Sequence, residues 1–160
     1  MKYLLDTDAF SDIVRGVPNV KWRFSHAPPS LVRISSVTVK EIEYGRKLVP
    51  DRMTRRDGLI DGLLRQVEAL PFDVSDAHVA GRLRASLRRS GTPIGPYDVM
   101  IAGTALVHGL ILVTANTREF SRVPGLQIEN WRLSPEVREP PSESRVTRRP
   151  TRGLRLYAPQ

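Results

Sequence analysis

Four acidic side chains stand where short apolar runs of this sequence end or where helices begin. Asp6 follows the run KYLL at residues 2–5. Glu41 lies in the first turn of a helix opened by Thr38. Asp98 stands two residues after Pro96, and Glu119 follows LILVT at residues 110–114. Each has an ordinary structural role when taken alone. Thr38 and Glu41, like Asn116 and Glu119, have capping-box spacing; Asp6 can cap a helix beginning near Asp8; Asp98 suits the positive end of its helix. Brought into one crevice, however, the four carboxylates repel, and such repulsion is tolerated where a cation or a proton neutralises it. The chain has no cysteine, and His26, His78 and His108 are scattered and read as structural. An all-oxygen donor set then points to Mg²⁺ or Mn²⁺ rather than zinc. Such a centre hydrolyses a phosphodiester by polarising phosphate oxygens and acidifying water, with no protein nucleophile.

For the acids to meet, the intervening segments must form a particular scaffold. Residues 2–5 read as a strand, followed by a helix that ends near Gly16. Residues 31–37 (LVRISSV) read as a second strand feeding a helix over VKEIEYGRKL. Leu59, Ile60, Leu63, Leu64, Val67 and Leu70 form the stripe of an amphipathic helix closed by Pro71. Ser75 or Asp76 can cap a helix carrying Val79, Leu83 and Leu87. Pro96 fits the first turn of an apolar helix that Gly109 ends before the strand at 110–114. Strands alternating with helices call for a parallel sheet with helices on both faces. In such sheets the functional crevice lies beyond the carboxyl ends of the strands, where these acids fall.

The balance of charge favours a phosphate partner. Lys and Arg number 25 against 17 Asp and Glu, a formal charge of +8, and 21 of the 25 are arginine. Arginine's planar fork matches phosphate oxygens. Arg82, Arg88 and Arg89 on the outer face of their helix, with Arg118, are the candidate RNA contacts. The 160 residues divide into a domain at 1–133 and a basic tail at 134–160, which contains five prolines and six arginines and reads as a flexible arm. Acids as early as Asp6 and Asp8 leave no room for a signal peptide, and no apolar run approaches a membrane span, so a soluble cytoplasmic protein is expected.

The blocks YLLDTD, ISSVTVKEIEYGR, GTPIGPYDVMIAGTAL and GLILVTANTREFSRVPGLQIENW resemble, in order and spacing, the signature blocks of PIN-domain toxins of the VapC type. The resemblance covers most of residues 1–132. It implies a Rossmann-like three-layer α/β/α sandwich with a central parallel sheet, Mg²⁺- or Mn²⁺-dependent endoribonuclease activity, a VapB-type antitoxin partner and a homodimer. Family members commonly cleave structured RNA, transfer RNA in particular. The family's acids fall on Asp6, Glu41 and Asp98. Many PIN domains have an aspartate where this chain has Thr117, so the fourth acid is assigned to Glu119, with Thr114 and Asn116 as supporting polar groups. Asp8 stands where relatives often carry asparagine and is either a fifth acid of the site or a helix cap.

Two other readings remain open on sequence alone. Asp6-Thr7-Asp8 after a first strand looks like the nucleophile and acid–base pair of a haloacid-dehalogenase phosphatase, although the last lysine is Lys47 and no aspartate follows Asp98. A binding module that uses its basic face without a metal is the non-enzymatic alternative.

Overall fold

The computed structural model describes residues 2–48 and 55–133, and the tail read at 134–160 lies outside the described residues. Five short strands, β1 (Tyr3–Leu5), β2 (Val32–Ser35), β3 (Glu68–Leu70), β4 (Ile111–Val113) and β5 (Ile128–Glu129), form one sheet in the order β3-β2-β1-β4-β5. All pairs are parallel, with Leu5 opposite Ile34 on one side and Val113 on the other. β1, which delivers Asp6, is therefore the central strand.

Alternation along β1 divides the core. Leu4 packs with Leu112, Leu83, Ile101 and Ala102, whereas Leu5 packs with Ile34, Val113, Phe10 and Ile60. Successive strand residues point to opposite faces, so two adjacent leucines serve two helical layers. One layer is α5 (Val74–Arg89) and α6 (Pro96–Val107). The other contains α1 (Thr7–Arg15), α2 (Pro18–His26) and α4 (Arg55–Gln66), while α3 (Ser36–Lys47) sends Val37 into the first core and Ile42 into the second. The result is the three-layer α/β/α sandwich. No helix among the described residues is long and apolar enough to cross a membrane.

α5 and α6 run antiparallel, with Asp76 beside Thr104 and Arg88 beside Pro96. They approach closely at Gly103, where a Cβ would come 3.0 Å from the Ala80 Cβ and 3.2 Å from the Asp76 carbonyl. Gly16 ends α1 in the left-handed region at φ 77°, a conformation costly for any residue with a Cβ.

Several local expectations are corrected. The second strand stops at Ser35, whose hydroxyl accepts from the Thr38 N–H, so α3 starts two residues before Thr38 and Glu41 lies in its second turn. The stripe read through Leu70 belongs to a helix only as far as Gln66. Val67 and Leu70 pack in opposite cores, which one helical face cannot do, and Leu70 ends β3 instead. Asp73, rather than Ser75 or Asp76, caps α5, accepting from the N–H groups of both. Helix α2 was not anticipated; Pro18 opens it at the first helical position.

Candidate active site

Asp6 leaves β1 at the carboxyl edge of the sheet, and its N–H continues the ladder by donating to the Val113 carbonyl at 3.1 Å. Its Oδ1 accepts from the Ala9 N–H at 2.6 Å, capping α1, and the Thr114 hydroxyl also bonds its carboxyl group. The side chain is thus both cap and site residue. Only 5 % of Asp6 is exposed, and this burial pushes its pKa up to about 7 against the pull of the Ala9 and Thr114 bonds; Asp8 and Asp98 push it further up.

Asp98 is the third residue of α6, after Gly95 at the cap position and Pro96 in the first turn. Its carboxylate folds back over Gly95, where a Cβ would come 2.7 Å from Oδ2. Burial raises its pKa to about 6, helped by the charges of Glu119, Glu41 and Asp8 and by a hydrogen bond shared with Glu119. Glu41 is partly buried on α3, and its Oε2 accepts from the Thr7 hydroxyl. Glu119 sits in the four-residue helix α7 (Thr117–Phe120), which follows β4. Asp8, in the first turn of α1, is exposed but close enough to raise both Asp6 and Asp98.

Asp6, Asp8, Glu41, Asp98 and Glu119 therefore form one electrostatic neighbourhood at the carboxyl ends of β1 and β4, fed by four different helices. No three acid or histidine side chains among the described residues are grouped tightly enough, as they stand, to hold an ion. The donor chemistry nevertheless fits a hard divalent cation. Every donor is a carboxylate oxygen, and the repulsion that raises Asp98 is what a cation would relieve.

The supporting groups divide. Thr114 is buried, touches Asp6 and accepts from the Asn116 N–H at 2.9 Å. Asn116 works through its backbone: its carbonyl accepts from the Glu119 and Phe120 N–H groups, and its side chain makes no cap bond, so the capping-box spacing with Glu119 goes unused. Of the candidate RNA contacts, Arg82, Arg88, Arg89 and Arg118 are all exposed. Arg88 shares a 200 Å³ hollow with Arg84, Ile94 and Pro96 beside the start of α6; none of the four makes an ion pair with a described acid.

Three contributors escaped sequence reasoning. Thr7 orients Glu41 across 34 positions. Arg132 grips the buried Asp12 with two bonds of 2.5 and 3.0 Å, joined by Arg15 at 2.7 Å, which ties the end of the described chain to α1 close behind the site. No signal in the sequence pairs residues 120 apart. Finally, a 510 Å³ cleft lined by Phe10, Glu41, Ile42, Arg46 and Ile60 opens beside Glu41 between α1, α3 and α4.

Comparison with known proteins identifies the family. Residues 3–126 match the PIN domain family. The tRNA(fMet)-specific endonuclease VapC of Salmonella typhimurium is 40% identical over 134 residues, spanning 82% of this chain and 98% of that protein. Ribonuclease VapC2 of Haemophilus influenzae is 34% identical over 132 residues, spanning 82% of this chain and 98% of that protein. The solved structure of DNA-bound VapBC from Salmonella typhimurium superposes with a TM-score of 0.74 at 39% identity, covering 82% of this chain and 98% of that one. With the family match over residues 3–126 and relatives of up to 40% identity across nearly their whole length, the chain belongs to the PIN-domain family, in the VapC branch.

Proposed function

We propose that the chain is a divalent-metal-dependent endoribonuclease, the toxin of a toxin–antitoxin pair, that cleaves phosphodiester bonds of RNA and of transfer RNA in particular. The observation that carries this reading is the convergence on Asp98, at the carboxyl edge of the sheet, of the charges of Glu119, Glu41 and Asp8, with Asp98 in turn acting on the buried Asp6. Family membership removes the phosphatase alternative. Asp6 and Asp98 are the principal ligands, with Glu41 and Glu119 completing the set, for Mg²⁺ or Mn²⁺. When bound, the ion supplies Lewis-acid stabilisation of phosphate charge and acidifies water.

The chain's own groups do the rest. The Ala9 N–H and Thr114 hold the Asp6 carboxyl in place, and Thr7 holds Glu41. With pKa values raised to about 7 and about 6, Asp6 and Asp98 keep protons that an ion must displace, so loading strengthens as pH rises. Among the described residues no three acids are grouped as they stand, and Asp6, Asp98, Glu41 and Glu119 would together hold the ion. Arg82, Arg88, Arg89 and Arg118 offer phosphate contacts around this centre.

The Salmonella relative is named for tRNA(fMet), and structural neighbours are VapBC complexes, which supports transfer RNA as substrate and a VapB-type antitoxin as partner. The antitoxin supplies a basic or aromatic segment that crosses the acidic crevice, with the Glu41 cleft as its approach. A homodimer acting in the cytoplasm completes the reading. Purified protein incubated with total transfer RNA, with and without Mg²⁺ or Mn²⁺, followed by end mapping, tests it. Asp6→Asn and Asp98→Asn are expected to abolish metal-dependent cleavage while remaining folded. Cleavage that persists without a divalent ion would overturn the metal requirement, and absent cleavage by the wild type would favour the non-enzymatic binding module.

A further inference from the structure

Beside the acids lies a cluster that the reading above does not use. Lys40 on α3 places its Nζ 3.7 Å from the ring centroid of Tyr97 on α6 and 5.6 Å from that of Tyr44, one helical turn further along α3. Tyr97 is 42% exposed and Tyr44 61%, and Lys40 is exposed as well. Lys40 precedes Glu41 and Tyr97 precedes Asp98, so the α3–α6 contact made by the cation and the Tyr97 ring lies one residue along the chain from two carboxylates that feel one another.

We propose that Tyr97, Lys40 and Tyr44 form a stacking platform for an unpaired base of the RNA, next to the bond that is cut. The inference rests on the ribonuclease reading and adds to it the kind of nucleotide the site receives. A flanking nucleotide needs what the basic face of α5 does not offer: a π-surface for the base, with a positive charge for the adjoining phosphate. An exposed cation–π contact is worth only about two- to fivefold in an equilibrium. A base stacked on an aromatic side chain contributes roughly five- to a hundredfold. An arriving base therefore displaces the Lys40 ammonium from the Tyr97 face. The flexible lysine stem lets that charge move to the neighbouring phosphate. Base-paired RNA has its faces already stacked, so the platform selects loops and single-stranded ends.

The test is affinity for short single-stranded oligoadenylate carrying one 2-aminopurine, measured in EDTA so that no cleavage intervenes. Tyr97→Leu is expected to weaken binding roughly tenfold and to restore the 2-aminopurine fluorescence that stacking quenches, while Tyr97→Phe, which keeps the ring, retains both. Lys40→Ala is expected to lower the slope of log affinity against log salt by about 0.7, the value for one single-strand phosphate contact. Thermal melts and light scattering accompany each variant. Wild-type and Tyr97→Leu proteins that bind the probe equally, while the wild type still cleaves RNA, overturn the platform and leave the ribonuclease reading standing. A Tyr97→Leu effect confined to oligomeric state assigns the rings to contact with a second copy and also overturns it. A wild type that neither binds nor cleaves RNA removes the reading beneath it.

Discussion

Replacing Asp6 by asparagine separates the stability of the domain from its chemistry. Asp6 is 5 % exposed and its pKa is raised from 3.8 to about 7. Between those values the folded state binds a proton that the unfolded chain has released, so metal-free stability falls as pH rises and levels off above the folded value. At 1.36 kcal/mol per unit, a shift of about three units makes ionised Asp6 cost ~4 kcal/mol when fully developed. From pH 5 to pH 8 the linkage relation gives a loss of about 3 kcal/mol. Asparagine keeps an oxygen for the Ala9 N–H and carries no charge, so Asp6→Asn should escape this loss. The variant is therefore expected to be more stable than the wild type at pH 8 in EDTA, with a gap that narrows towards pH 5. Asp98 titrates in both proteins and largely cancels in the difference. Urea unfolding at several pH values measures it directly, with equal m-values confirming a common unfolding reaction. Wild-type stability that is flat from pH 5 to pH 8, or an asparagine variant that declines in parallel, would refute the argument that burial of an ionised Asp6 opposes folding.

Millimolar Mg²⁺ or Mn²⁺ is expected to raise the wild-type Tm, by about 2.7 kcal/mol of stabilisation at a hundred times Kd, and to raise Glu41→Gln less; calorimetry showing identical shifts would remove Glu41 from the site. Gly103→Ala should destabilise by roughly 1–3 kcal/mol, because its methyl would press on Ala80 and the Asp76 carbonyl between two tightly packed helices. Denaturant melts check this, and Gly81→Ala, where a Cβ meets nothing within 4 Å, serves as the control. Removing residues 134–160, with Arg138, Arg145, Arg148, Arg149, Arg152 and Arg155, should flatten the salt dependence of RNA affinity by a few units while leaving single-turnover cleavage nearly unchanged. Equal slopes would show the tail to be passive.

Local chemistry made much of this protein legible in its residue order. Leu4, Leu5 and the run at 110–114 are apolar on both faces because a central parallel strand is buried on both, and each is followed by polar residues at the edge where ligands bind. Pro96, Gly16 and Gly109 punctuate helices through fixed or left-handed backbone angles, which need no distant partner. Asp6 and Asp98 could be singled out for the same reason: position after a strand or at a helix start is a property of a few neighbouring residues. What tertiary structure alone decided is where burial and long-range pairing outweigh local pattern. Val67 and Leu70 fit a helical stripe until β2 offers Leu70 an edge to pair with. The Thr38–Glu41 spacing fits a capping box until Ser35, at the end of a buried strand, takes the cap and frees Glu41 for Thr7. Asp12 and Arg132 lie 120 positions apart, and only folding brings them within bonding distance. The raised pKa values have the same origin, because desolvation and mutual repulsion arise only once β1, α3, α6 and α7 bring their carboxylates together.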